Sequence, residues 1–169
     1  SLAGLALAGG ALGWATGSWY QGRPGLAVPR QRLVRRGAVL VSIGIAGLGL
    51  VLVPGVPVLL AGLAWVVGAL GMGMAMASVG VLLFELSPVE DHGANSASLQ
   101  LSDALFSITF IGLAGVIFGT AHEPDGQTSP AVFATILAVM AALALFGAWA
   151  AGRVRASGTR PAPVVPDAR

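Results

Sequence analysis

GSWYQGRPGLAVPRQRLVRRG, residues 17–37, is the stretch on which the reading of the whole chain turns. It holds Arg23, Arg30, Arg32, Arg35 and Arg36 and lies between two long apolar runs. An arginine carried to the centre of a membrane helix costs about 2.5–3.5 kcal/mol even on the lenient insertion scale. Five of them therefore read as a loop held on one side of a membrane, the cytoplasmic side by the positive-inside rule. Pro24 and Pro29 keep the stretch from fusing its neighbours into one continuous helix.

Composition supports a membrane setting. Of 169 residues, 56% are hydrophobic and 9% charged, with a mean hydropathy of +0.85. Soluble domains carry about 25% charged residues, so a water-soluble globule is not expected. The pI of about 10.5 invites a nucleic-acid reading. The net charge is only +2, however, and the arginines cluster at the ends of apolar runs rather than on one basic face. With no Cys there is no disulfide framework and no thiolate metal site. No metal, cofactor or nucleic-acid partner is expected; the bilayer is.

Working outward, Leu2 to Tyr20 is a first apolar run long enough to span. Gly9, Gly13 and Gly17 fall at four-residue spacing, a ladder of small residues that admits a close helix neighbour. Trp14, Trp19 and Tyr20 gather toward the arginines, as interfacial aromatics do. Residues 37–53 form a second run, closed by Pro54-Gly55-Val56-Pro57, a tight hairpin. The third run, 58–86, exceeds the roughly 20 residues of one untilted span and reads as a single tilted or protruding helix. Its Gly68, Gly71, Gly73 and Gly80, with Met72, Met74 and Met76, read as packing residues. A fourth run covers 99–121 after the capping residues Asn95, Ser96 and Ser98, and a fifth covers 131–152. The expected organisation is thus a membrane domain over 1–152 and a disordered cytoplasmic tail over 153–169.

Loop charges agree with that count. If 20–36 lies inside, alternation places 54–57 and 122–130 outside, and 87–98 and the tail inside. The two outside segments contain no Arg, and the inside segments contain all of them. The expectation is an all-α integral membrane chain with five spans and an external N-terminal end. The odd count and the missing initial Met point to at least one further helix upstream.

The residues resemble a family at two places. The arginine loop with its GSWYQGR lead-in resembles the link between the second and third helices of one half of a major facilitator superfamily (MFS) transporter. FELSPVEDHGANSASLQLSDALFSITFIGLAGVIFG, residues 84–119, resembles that family's tenth and eleventh helices and their cytoplasmic connection. The resemblance implies helices eight to twelve of a twelve-helix protein, an incomplete six-helix half-bundle, or the equivalents in a fourteen-helix one. It further implies a plasma-membrane secondary transporter moving a small molecule, a proton-coupled exporter of drugs or metabolites, working against a missing N-terminal half.

The chain departs from the family pattern at two positions. The acidic residue usual four places after the first loop glycine is Gln21 here. Many members carry Glu, Pro three residues later and Arg seven residues after the Glu; Glu85 and Pro88 match, and the third position is His92. Arg23, Glu85 and His92 are accordingly expected to cluster at the cytoplasmic mouth; the alternative is that Glu85 is a carboxylate at the interface, solvated from the loop. Such a link would depend on pH, because free imidazole gains its charge only near or below about pH 6.5.

Asp103 is the acid placed furthest inside a run, and Gln100, Asp103 and Ser107 share one face by spacing. Acids within spans usually face a bundle interior or a wet cavity. This trio is the candidate for proton or cation coupling; the alternatives are a helix-interface hydrogen bond or a charge favoured by a helix N-terminus. His122 reads as an exposed loop residue.

An enzyme is not expected. There is no HExxH, no GxSxG and no close pair of carboxylates within a run, and GIAGLG at 44–49 has the wrong glycine order for a dinucleotide loop. Besides a transporter half, the remaining reading is a membrane fragment or scaffold with no independent activity.

Overall fold

The computed structural model describes residues 2–120 and 129–153. Within them the chain is all-helical: α1 (Leu2–Gln21), α2 (Arg30–Leu50), α3 (Leu59–Leu86), α4 (His92–Thr120) and α5 (Pro130–Ala151), with a single 3-10 turn at Val89–Asp91 before α4. Four stretches are long and apolar enough to cross a membrane: α2, α3, α5 and the unit Val89–Gly119 that contains α4. The expectation of five spans meets a difference at α1. Its 20 residues are long enough, but glycines and polar side chains hold it outside that apolar set.

Helix α3 is the centre of the bundle, and glycine puts it there. Gly9 and Gly10 of α1 meet Val66 and Trp65, while Gly17 meets Leu70 and Met74 further along, so α1 and α3 run parallel. Gly37 of α2 meets Gly71 and Ala75, and Gly47 meets Ala64, so α2 runs antiparallel to α3. The two seams use different glycines of α3: Gly73 lies against the Trp14 carbonyl of α1, and Gly71 against the Gly37 carbonyl of α2. Lipid is as apolar as leucine, so helices in a bilayer gain by close contact through small residues rather than by burying bulk. The ladder expected at Gly9, Gly13 and Gly17 is therefore observed, and all three lie on α3.

The pattern of burial follows from this. Leu33, Met74, Leu82, Ala148 and Ala151 are the buried apolar residues, whereas Leu5, Trp19, Leu59, Trp65 and Phe146 stand outward. Met72 and Met76 are exposed, so only Met74 of the three methionines packs inside. Buried serines bond within their own helices: the Ser42 hydroxyl donates to the Ala38 carbonyl at 2.9 Å and that of Ser78 to the Met74 carbonyl at 2.8 Å.

Two boundaries correct the sequence reading. The second helix starts at Arg30, not at residue 37, so four of the five arginines are helical rather than in a loop. Arginine is a good helix former, and nothing between Pro29 and Leu50 breaks the ladder. The fourth helix starts at His92, not at residue 99. Pro88 opens the 3-10 turn, which runs straight into α4, so Asn95, Ser96 and Ser98 lie inside the helix instead of capping it. At the hairpin, Gly55 takes a φ of +90°, a left-handed value that favours glycine. Ser129 caps α5 by accepting from the Ala131 N–H at 3.3 Å, with Pro130 in the first turn. The greater part of the 122–130 loop, His122 included, and the whole tail beyond Arg153 fall outside the described residues.

Candidate functional site

Helix directions gather charge at one end of the bundle. The C-terminal ends of α1 and α3 and the N-terminal end of α2 lie together, and α5 ends beside them, with the Arg35 side chain 4.0 Å from a Cβ built on Gly152. Arg23, Arg30, Arg32, Arg35, Arg36 and Arg153 are therefore all at this end, away from the 51–58 hairpin. The α3–α4 connection, with Glu85, Glu90, Asp91 and His92, starts from the same end.

Three of these arginines are engaged within the chain. Arg30 donates to both the main-chain carbonyl of Gln21, at 2.6 Å, and its side-chain Oε1, at 2.7 Å, closing the α1–α2 connection. Gln21 thus accepts from an arginine nine residues on. Arg23 lies over the Trp19 ring at 3.7 Å from its centroid, and Arg153 over Trp149 at the same distance. Both are cation–π contacts at the ends of helices, where an interfacial aromatic belt belongs.

Of the expected trio Arg23, Glu85 and His92, the structure brings two to one connection. Glu85 is exposed in the last turn of α3, and His92 opens α4. The His92 ring packs on Phe84 with centroids 4.9 Å apart, and its Nε2 lies 3.1 Å from the Ser87 carbonyl oxygen. Arg23 faces Trp19 instead. Asn95 donates its side-chain amide to the Ser87 hydroxyl at 2.8 Å, so Ser87 joins the end of α3 to the first turn of α4. Ser87 and Phe84 were not singled out from the sequence; a serine followed by Pro88 is the one local signal for such a corner.

Asp103, Gln100 and Ser107 lie on α4 and all three are exposed. No residue in the apolar window of this helix is buried, and it touches α3 and α5 only lightly. Asp103 sits about 16 Å along the axis from His92, the first residue of α4. A helix dipole acts within its first turn, so the N-terminus does not account for this acid.

No family model matches the chain, and neither a curated protein nor a solved structure matches it. What the fold defines is a class: an all-helical chain with four helices fit to cross a membrane, built on glycine seams and charged at one end.

Proposed function

We propose that the chain is part of a secondary transporter of the MFS type, its helices forming five spans of one half-bundle in the plasma membrane. The arginine end faces the cytoplasm in this reading, and the cargo is a small molecule exported against protons. The observation that carries it is α4: a helix apolar enough to span, unburied along that apolar stretch, yet holding Asp103 on an exposed face. A carboxylate left against hydrocarbon costs about 2.5–3.5 kcal/mol or more. The face of α4 bearing Asp103 therefore belongs against a partner or a wet cavity, and the other half of a transporter supplies both.

Coupling follows from alternating access. A carboxyl that meets a low-dielectric wall in one state and water or a cation in the other takes up and releases a proton as the halves rock. Gln100 and Ser107, on the same face, hold hydrogen bonds with it or with cargo. Everted vesicles carrying the full-length protein are energised with an acid interior and scored for uptake of a panel of lipophilic dyes. Asp103→Asn keeps size and most hydrogen bonding but removes the titration, so gradient-driven uptake is expected to collapse while dye binding survives. Undiminished uptake against the gradient refutes the coupling role.

A further inference from the structure

Three arginines of α2 remain once Arg23, Arg30 and Arg153 are accounted for. Arg32, Arg35 and Arg36 make no hydrogen bond, ion pair or ring contact among the described residues. They fall at i, i+3 and i+4, so they stand side by side on one face, where like charges repel. They also occupy the first turns of a helix with no acidic residue there. For Arg32, in the first turn, the positive end of the helix dipole adds to the charge instead of offsetting it. Everything at this spot favours an anion.

A cavity of about 550 Å³ lies against these residues. Arg32, Arg35, Arg36 and Tyr20 line it together with the apolar Val39 and Leu40, and among the described residues no carboxylate lines it. Arg32, Arg35 and Arg36 precede Val39 and Leu40 on the same helix, so the cavity is basic toward the charged end of the bundle and apolar toward its middle. That polarity distinguishes its ligand from a free ion. A free phosphate would use the guanidinium groups and the tyrosine hydroxyl and leave the apolar wall unmatched. A phospholipid places its phosphate among the arginines and its first methylenes on Val39 and Leu40.

We infer that the cavity between the end of α1 and the start of α2 is a binding site for an anionic phospholipid headgroup. Arg32, Arg35 and Arg36 hold the phosphate, Tyr20 donates to it, and Val39 and Leu40 carry the upper acyl chain. Basic pockets between membrane helices commonly take such headgroups, with arginine the better fork for phosphate oxygens. The inference rests on the chain lying in a bilayer and is independent of transport.

The test uses the full chain with vesicles of phosphatidylcholine alone or with a minor fraction of phosphatidylglycerol. Flotation reads insertion; mass spectrometry after detergent extraction reads the phosphatidylglycerol retained per chain. The wild type is expected to enrich phosphatidylglycerol over its share of the vesicle. Each neutralised arginine in Arg32→Gln, Arg35→Gln and Arg36→Gln is expected to lower retention about fivefold. The double variant Arg23→Gln with Arg153→Gln, which removes engaged arginines, is expected to retain it. Should a triple variant fail to float, Arg35→Gln alone decides the matter. Equal losses in the control and cavity variants would overturn the site as mere surface charge. Displacement of the lipid by excess inorganic phosphate, with equal thermal stabilisation by phosphate alone, would assign the cavity to the free ion and overturn it too. A chain that floats with neither vesicle overturns the membrane setting itself, an outcome distinct from one that floats without enriching the lipid.

Discussion

Gly37 of α2 and Gly71 of α3 face each other so closely that a methyl group built on either would lie 2.5 Å from the other's carbonyl oxygen. One helical turn or two away, Gly44 meets Gly68 in the same manner, its added carbon 2.7 Å from the Gly68 Cα. Backbone therefore touches backbone along this seam, and dispersion between the two helices replaces the hydrophobic drive that lipid removes.

Gly71→Ala is expected to destabilise the bundle by about 1–3 kcal/mol, because the neighbour that must yield is main chain and cannot rotate away. Gly80→Ala on the same helix meets open space and is expected to be neutral or to gain up to about 1 kcal/mol of helix propensity. Unfolding in mixed detergent, followed by circular dichroism, reads both. Equal effects would mean that the seam is loose.

Some of this was legible beforehand, for identifiable reasons. Gly9, Gly13 and Gly17 repeat at four residues, a period that marks one helix face without any knowledge of its partner. Gly37 and Gly71 form a pair only once the register of two antiparallel helices is known, and no spacing within one helix carries that. Arg30 to Arg36 misled, because charge was weighed as a sign of loop while arginine's preference for helix was not. Asn95, Ser96 and Ser98 misled likewise: they are good caps, but the earlier turn from Pro88 had already started the ladder. Asp103 was recognisable as an acid within an apolar run; that α4 leaves it uncovered needed the packing of the other helices.

Arg30→Ala removes both hydrogen bonds to Gln21 and is expected to cost about 1 kcal/mol, below the roughly 1.5–3 kcal/mol of a charged donor because the site is only half-buried. Gln21→Glu keeps an acceptor for Arg30 and is expected to be neutral or mildly stabilising. Thermal unfolding of the two variants beside the wild type checks the pair; a neutral Arg30→Ala would show that the α1–α2 connection does not need this clasp.

His92→Ala loses the Ser87 contact and the Phe84 ring contact together, at an expected cost of about 1 kcal/mol. The effect should be local. Amide hydrogen exchange is expected to rise over residues 87–95 and to stay unchanged in α1 and in the middle of α3. A rise spread across the bundle would contradict the view that His92 serves only the corner between α3 and α4.

The placement of every described arginine at one end of a membrane-crossing bundle is tested most directly by sidedness. Ala27 and Val53 are exposed in the two connections that flank α2, and the chain has no cysteine of its own. Ala27→Cys and Val53→Cys are each treated in intact cells with a membrane-impermeant maleimide. Labelling of Val53→Cys from outside, with Ala27→Cys labelled only after permeabilisation, is the expected result; labelling of both from outside would contradict the account.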